Sequence, residues 1–77
     1  MLELLHYLIS KIVDTPEEVK IETKEEEPGN FTFYVEVPRE QRGVVIGKQG
    51  MNIKALRNIL SIIAKRENKR VYIKIVD

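Results

Sequence analysis

Hydrophobic residues recur along this chain with two different periods, and the order of these periods restricts the possible folds more than any other feature. Spacings of three and four residues predict amphipathic helices, whereas strict alternation predicts half-buried strands. The helical spacing covers residues 2–14 and 51–66, and the alternating spacing covers residues 19–24, 31–37 and 70–76. The pattern therefore predicts two amphipathic helices and three strands.

Proline and glycine mark where these elements end. Thr15-Pro16-Glu17 is predicted to end the first helix near Asp14. Pro28-Gly29-Asn30 is predicted to join the first two strands as a hairpin. Pro38 is predicted to open a further, short helix that extends to about Val45. The predicted order is helix, strand, strand, helix, helix, strand, which is an α+β arrangement.

A chain of 77 residues has room for one small hydrophobic core, and we expect a single domain over residues 1–77. A domain of this size buries only about 60% of its unfolded surface and is marginally stable. The sequence contains no cysteine, which excludes disulfides and thiolate zinc sites and favours a reducing, cytoplasmic location. No apolar run approaches the roughly 18 residues that span a bilayer, so no membrane insertion is expected.

Charge is distributed unevenly along the chain. The formal net charge is +1, but residues 1–27 contain eight acidic and three basic residues, whereas residues 28–77 contain ten basic and four acidic residues. Five basic residues and one acidic residue lie in the stretch from Arg39 to Arg57. This basic region favours an anionic partner, with ordinary solvated surface as the alternative.

The basic region contains a glycine-rich segment, Arg42-Gly43-Val44-Val45-Ile46-Gly47-Lys48-Gln49-Gly50. A nucleotide-binding P-loop requires four residues between its glycines and a Ser or Thr after its Lys. Here three residues separate Gly43 from Gly47, and Gln49 follows Lys48. A P-loop also follows a buried strand, whereas this segment lies between two predicted helices. The sequence therefore does not predict a P-loop.

The four residues Gly47-Lys48-Gln49-Gly50, the GKQG loop, are suited instead to hold a strand of nucleic acid. Glycine at both ends lets the backbone turn sharply and removes the β-carbons that would keep a sugar-phosphate chain at a distance. The N-terminus of the following helix favours negative charge, and Lys48 adds a full positive charge. Val45, Ile46 and Ile53 can line a groove in which unstacked bases lie.

With its flanking residues, the segment Val45-Ile46-Gly47-Lys48-Gln49-Gly50-Met51-Asn52-Ile53 resembles the V-I-G-x-x-G-x-x-I signature of KH domains. The element order is similar to the type II (prokaryotic) KH fold, which implies a three-stranded mixed sheet packed on one face by three helices. The resemblance covers nearly the whole chain, so the sequence is further similar to the small bacterial KH proteins of the KhpA family. That family implies binding of single-stranded RNA, a role as RNA chaperone or post-transcriptional regulator, self-association, and pairing with a larger KH protein of the KhpB (Jag) type.

The resemblance assigns a role to each residue around the loop. Gly47 and Gly50 shape the clamp, Lys48 and Gln49 face the RNA backbone, and Val45, Ile46 and Ile53 form the groove wall. Ile53 has plain core packing as its alternative. The candidate phosphate contacts, with solubilising charge as the alternative, are Arg39, Arg42, Lys54 and Arg57.

Two other groups of residues bear on this interpretation. Glu25, Glu26 and Glu27 lie before the hairpin turn, where they should repel RNA and confine it to the clamp side. Tyr34 and Tyr72 can stack a base, but tyrosines on strands are more often structural.

The long helix carries more apolar surface than one core requires. Its core stripe is Ile53, Leu56, Leu60, Ile63 and Ala64. Four further apolar residues widen the stripe to more than half of the circumference: Met51, Ala55, Ile59 and Ile62. We expect these four to form a surface for self-association or for a protein partner, with a wide core as the alternative.

No constellation of residues predicts catalysis. The only histidine, His6, has no cysteine, serine or carboxylate partner at a useful spacing, and the acidic run is not spaced like a calcium loop. We therefore expect no enzymatic activity, metal or cofactor. The alternative to RNA binding is a protein-interaction scaffold that pairs through the long helix and binds little RNA.

Overall fold

The structure is a computed structural model that describes residues 1–76. Its elements are α1 (Leu2–Ser10), β1 (Lys20–Glu27), β2 (Asn30–Glu36), α2 (Arg39–Ile46), α3 (Met51–Arg66) and β3 (Arg70–Ile75). Short 3₁₀ turns precede β1 and α3, at Pro16–Glu18 and Lys48–Gly50. The predicted order of elements is confirmed, and the long helix has the predicted bounds.

The three strands form one mixed sheet in the order β1-β2-β3. β1 and β2 are antiparallel, with Ile21 opposite Val35, and β2 and β3 are parallel, with Phe33 opposite Ile73. A parallel pair needs a crossover connection, which α2 and α3 supply. Because α3 leads directly into β3 and packs against it, helix and strand lie side by side at this edge of the sheet.

All three helices bury apolar side chains on the same face of the sheet. The buried helical residues are Leu5, Ile9, Val45, Leu56, Leu60 and Ala64, and the buried strand residues include Phe33, Val35, Val71 and Ile73. The buried residues of α3 recur every four positions, as expected for a helix with one face on a sheet. The predicted α+β architecture, with three helices on one face of a three-stranded mixed sheet, is confirmed.

Two element ends differ from the prediction. α1 ends at Ser10 rather than near Asp14, and the chain continues in hydrogen-bonded turns in which the Val13 N–H donates to the Ile9 carbonyl (3.2 Å). Val13 is buried in the core, so the apolar pattern that predicts the first helix extends three residues beyond the end of the helix at Ser10. β1 extends through the acidic run to Glu27, which therefore belongs to a strand rather than to the turn.

The junction between α2 and α3 is held by one side chain that the sequence analysis did not single out. Asn52, in the first turn of α3, donates a hydrogen bond from Nδ2 to the Val44 carbonyl in α2 (2.7 Å). It thereby satisfies one of the carbonyl groups that a helix leaves unpaired at its C-terminus. Asn52 also packs against Gly47, where a β-carbon would lie 2.7 Å from Asn52 Cγ and 2.8 Å from Asn52 N. The fold therefore requires glycine at position 47.

Gly50 differs from Gly47 in this respect. Both glycines have a positive φ, 75° and 78°, which other residues adopt only at a cost. Among the described residues, the heavy atom nearest to a β-carbon on Gly50 would be Ile53 Cγ2, at 3.9 Å. The space beside Gly47 is thus filled by Asn52 of the protein itself. Only the absence of a β-carbon on Gly50 leaves open space beside the loop.

Alanine substitutions separate these two effects. We expect Gly47→Ala to lower the free energy of unfolding by about 3 kcal/mol or more, because a clash with Asn52 adds to the cost of the positive φ. Gly50→Ala incurs only the conformational cost, about 1 kcal/mol. Urea unfolding followed by circular dichroism measures both losses. Equal losses would show that the contact with Asn52 does not hold the junction.

Candidate nucleic-acid interface

The GKQG loop reverses the chain between α2 and α3 within four residues. The Gly50 N–H donates to the Gly47 carbonyl (3.0 Å) and closes a single 3₁₀ turn. Gln49 lies inside this turn with a φ of 56°, although it is not glycine. Backbone conformations of this kind cost energy and cluster at ligand-binding sites. The side chains of Lys48 and Gln49 are exposed to solvent at the outer side of the turn.

Lys54, one turn into α3, lies back against the loop. Its Cε is 4.0 Å from the position that a β-carbon would occupy on Gly50. Within residues 1–76, no side chain caps the N-terminus of α3 by a hydrogen bond. Together with the helix dipole, Lys48 and Lys54 make this end of α3 favourable for an anion.

The aliphatic residues beside the loop lie at different depths. Ile46 is 39% exposed, and Ile53 is half-buried and packs against the core. Val45 is fully buried, so the prediction that its side chain lines the groove is wrong: it is a core residue. Of the three predicted groove residues, Ile46 and Ile53 present aliphatic surface next to the loop.

A basic cleft of about 500 Å³, the α3–β3 cleft, lies between the long helix and the edge strand. The residues that line it are Arg57, Ser61, Ala64, Lys65, Lys69, Arg70, Val71 and Tyr72. The four cationic side chains include Lys69, which is paired with Glu67 (3.4 Å). Tyr72 is 46% exposed and adds an aromatic ring to the wall. The cleft can therefore accept both phosphates and bases.

Of the predicted site residues, only Arg57 lines this cleft, and the sequence analysis missed Lys65, Lys69, Arg70 and the exposed position of Tyr72. The sequence does contain a pattern that predicts this flank of α3. The flank of α3 that borders the cleft continues to the loop through Gly50, Lys54, Arg57, Ser61 and Lys65, which follow one another at spacings of three and four residues. The loop and the cleft thus share one side of the helix.

The tip of the β1–β2 hairpin adjoins the end of the cleft that is farther from the loop. The Arg70 N–H donates to the Gly29 carbonyl (2.8 Å), and Glu25 Oε2 accepts from the Gly29 N–H (2.9 Å). Next to them, the Tyr34 hydroxyl donates to Glu26 Oε1 (2.6 Å), and this hydrogen bond raises the pKa of Tyr34. Because Arg70 lines the cleft, the hairpin turn and the Glu25 carboxylate that bonds to it lie beside the cleft.

Arg42 and Arg39 lie apart from the α3–β3 cleft. Both line a separate groove together with Glu17 and Glu18, and Arg42 is half-buried there. The structure therefore does not bring Arg42 into the cavity that contains Arg57.

The four apolar residues of α3 that the core does not require are exposed on another side of the helix. Met51 and Ile62 are 64% and 66% exposed, and Ala55 and Ile59 are also exposed. At 100° per residue, the centre of this four-residue surface, the α3 apolar patch, lies about 110° around the helix from the flank that borders the cleft. An occupant of one surface therefore leaves the other accessible.

The remaining chemistry of residues 1–76 is limited. This part of the chain contains no group of three or more His, Cys, Asp or Glu residues that could hold a metal ion, and none of its helices is long and apolar enough to cross a membrane. His6 is exposed on α1, and the Ser10 hydroxyl donates to its carbonyl (2.7 Å) and lies 3.4 Å from its Nδ1. The expectation that His6 has no serine partner is therefore wrong, because Ser10 follows it by one helical turn.

The fold resembles part of a much larger protein of known structure. Era in complex with MgGDPNP and nucleotides 1506–1542 of 16S ribosomal RNA matches 95% of this chain, at a TM-score of 0.56 and 17% sequence identity. A single-residue variant of Aquifex aeolicus Era bound to GDP·AlF₄⁻ matches equally well. The match spans 28% of each Era chain. At this identity the likeness establishes the fold, which is the type II KH fold.

Sequence comparison gives the family. The model for the KH domain of KhpA and KhpB matches residues 2–75. The RNA-binding protein KhpA of Chlamydia pneumoniae is 42% identical, over 100% of this chain and 97% of its own length. The KhpA proteins of Listeria monocytogenes and Clostridium acetobutylicum are 35% and 37% identical, over 100% and 99% of this chain and 100% of their own lengths. The chain belongs to the KhpA/KhpB family of KH-domain proteins.

Proposed function

We propose that this chain is an RNA-binding protein that holds single-stranded RNA between the GKQG loop and the α3–β3 cleft. The observation that carries the proposal is that loop and cleft lie along the same flank of α3, with cations at both ends. Lys48 lies in the loop and Lys54 beside it, and Lys65 and Arg70 line the cleft. The relatives in Chlamydia and Listeria are named RNA-binding proteins, which supports the proposal.

Each part of the interface has a separate task. The loop backbone, the N-terminus of α3 and its neighbouring lysines hold phosphates, because these groups combine N–H donors with positive charge. Ile46 and Ile53 offer aliphatic surface to the bases that follow, and Tyr72 offers a ring for stacking. Arg57 lines the cleft where α3 is nearest to the loop and contacts the RNA backbone there. No step of binding requires a metal or a cofactor.

The affinity of one such site is modest. A KH loop clamps about four nucleotides, so few phosphates are neutralised. We therefore expect dissociation constants in the micromolar range, with a shallow salt dependence and weak discrimination among sequences. In this proposal residues 1–77 act as a single KH domain in the cytoplasm, as an RNA chaperone or post-transcriptional regulator rather than as an enzyme.

Replacing Lys48 and Gln49 with aspartate tests the role of the loop. We expect Lys48→Asp/Gln49→Asp to weaken binding of a single-stranded RNA octamer by about tenfold or more, because two carboxylates then face the phosphate backbone. Both side chains are exposed, so the urea midpoint should change little. Fluorescence anisotropy with a labelled octamer measures the affinity.

His6→Asp/Lys11→Asp is the matched control. It changes the net charge by the same amount at exposed positions of α1 and beyond its end, away from the loop. An equal loss of affinity in both variants would mean that overall charge, and not the GKQG loop, binds the RNA.

The acidic residues at the hairpin tip are expected to limit the length of RNA that the interface can hold. The turn residue Gly29, which bonds to the Arg70 N–H, also donates to Glu25, and its neighbour Asn30 donates to Glu27, so a strand that continues past the cleft meets carboxylates. We expect Glu25→Gln/Glu27→Gln to leave the affinity for a tetramer unchanged but to tighten binding of a dodecamer by about threefold, because like-charge repulsion is removed. The salt slope for the dodecamer should steepen by about 0.7 for each phosphate newly contacted. Glu3→Gln/Glu22→Gln is the control, and the same gain there would contradict a local boundary.

We further infer that the α3 apolar patch pairs two copies of the chain, or one copy with a larger KH partner of the KhpB type. Exposed Met51 and Ile62 form a surface that a partner would remove from water. Two linked sites on a dimer would also raise the affinity for longer RNA through effective concentration. If the chain acts as a protein-interaction scaffold instead, this pairing is its main activity, and Lys48→Asp/Gln49→Asp alters no measurable binding.

Charge on the patch tests the pairing. We expect Ile62→Asp to halve the mass found by light scattering at a concentration where the wild-type protein is dimeric, because a carboxylate would be buried without a partner. Asn58→Asp adds the same charge to an exposed position of α3 outside the patch and should leave the mass unchanged. An unchanged mass for Ile62→Asp would remove the α3 apolar patch from the interface.

A further inference from the structure

β1 forms one edge of the sheet, and its outer side faces no other strand of residues 1–76. It is the longest of the three strands, with eight residues, and in this part of the chain it pairs only with β2. A row of its backbone N–H and C=O groups is therefore open to a further strand. Its pairing with β2 is regular from Lys20 to Glu25, and it contains no proline, so a second strand can align with most of its length.

The side chains of β1 on the open face of the sheet, which the helices do not cover, alternate in charge. Tyr34 of β2 marks this face, because its neighbours Phe33 and Val35 are buried in the core. Lys24 Nζ lies 5.3 Å from the centre of the Tyr34 ring, and Glu26 accepts a hydrogen bond from the Tyr34 hydroxyl. The alternating residues of this face are therefore Lys20, Glu22, Lys24 and Glu26.

This order of charges is complementary to itself in one register. Two copies of β1 can pair as antiparallel strands around a twofold axis that passes between their Thr23 residues. Lys20 then lies opposite Glu26 of the second copy, and Glu22 lies opposite its Lys24. By symmetry each pair occurs twice, so four pairs of opposite charge cross the junction, and such cross-strand pairs stabilise a sheet.

The neighbouring registers are unfavourable. A twofold axis keeps the open faces of both copies on the same side only in registers that differ by steps of two residues. The next two such registers, centred on Glu22 and on Lys24, bring like charges opposite each other on the open face. Charged residues often serve to keep edge strands apart. Here they exclude the adjacent registers and match in one, which favours pairing with a second copy over a purely protective role.

Apolar surface adjoins the same edge. A shallow cavity of about 310 Å³ lies between α1 and β1 and is lined by Leu2, Glu3, His6 and Ile21. Leu2 is 41% exposed, and Ile21, in the edge strand itself, is half-buried. A second copy paired along β1 would extend over this surface and remove part of it from water.

We propose that β1 pairs with β1 of a second copy in the register centred on Thr23. The two three-stranded sheets then form one continuous sheet of six strands, with the helices of both copies on the same face. This pairing does not depend on RNA binding, and it does not use the α3 apolar patch. Because α3 packs against β3, at the opposite edge of the sheet, one copy can hold a neighbour at each of the two surfaces.

Thr23→Cys tests the register. The chain contains no cysteine, so every disulfide of this variant joins two copies. In the proposed pairing the two α-carbons lie about 5 Å apart, within the range of a disulfide. We expect oxidation to link the copies at least about tenfold faster than in Lys20→Cys, whose α-carbons would lie about 20 Å apart. Non-reducing gels measure the rates, and equal rates would refute the pairing.

Charge reversal tests the pairs themselves, in an Ile62→Asp background that removes pairing through the α3 apolar patch. Exposed ion pairs are weak, so we expect this background to dimerise only at higher concentrations than the wild-type protein. Glu22→Lys and Lys24→Glu each bring like charges together, and each should weaken the dimer by about tenfold. An equimolar mixture of the two variants restores opposite charges between copies and should regain the dimer. Sedimentation equilibrium measures the masses.

Lys11→Glu mixed with Glu40→Lys is the matched control, since it makes the same charge changes at exposed positions outside β1. Each control variant alone should dimerise like the background. A gain of dimer on mixing the controls that equals the gain for the β1 variants would assign the effect to net charge and overturn the inference. Reversals that leave the dimer unchanged, or a background protein that stays monomeric up to about 1 mM, would overturn it as well.

Discussion

The contact between Asn52 and the backbone around Gly47 fixes how α2 and α3 meet, and the position of the GKQG loop depends on it. The amide of Asn52 bonds to the last turn of α2 while its side chain fills the space that a β-carbon on Gly47 would occupy. Both helices are also anchored separately, by Val45 and by Leu56 in the core. The four loop residues are therefore held at both ends by rigid elements, so the strained turn at Gln49 can persist without support from a ligand.

Helix α3 combines three surfaces in sixteen residues. One side buries Leu56, Leu60 and Ala64 against the sheet, a second borders the basic cleft, and a third presents the α3 apolar patch. Because a helix has about 3.6 residues per turn, each of three such stripes has room for little more than one residue per turn. The cost is a narrow core contact, which is consistent with the marginal stability expected of so small a domain. Under the proposed function, RNA and a protein partner would therefore not compete for the same side of the helix.

The sequence alone predicted the order of elements and the bounds of α3, because hydrophobic periodicity and the flanking glycines act locally. It also identified the exposed Lys48 and Gln49. It did not predict the α3–β3 cleft, since Lys65 and Tyr72 approach one another only when the helix packs beside the edge strand. The prediction that Val45 lines the groove was wrong, because the sequence does not show whether an aliphatic residue beside a loop points to the core or to solvent. Only the packing of α2 distinguishes the two.

Segregation of charge, rather than net charge, lets a chain with a formal charge of +1 attract a polyanion. At physiological ionic strength exposed charges act over about 8 Å, so a phosphate in the cleft responds to Arg57, Lys65 and Arg70 and hardly to the acidic residues of distant elements. The hairpin tip is the exception, because the Gly29 carbonyl bonds to the Arg70 N–H while the Gly29 N–H bonds to Glu25, which brings the Glu25 carboxylate beside the cleft. In the proposed interface the hairpin tip therefore sets where the attraction ends, and the length of RNA that one copy holds would follow from the fold rather than from base recognition.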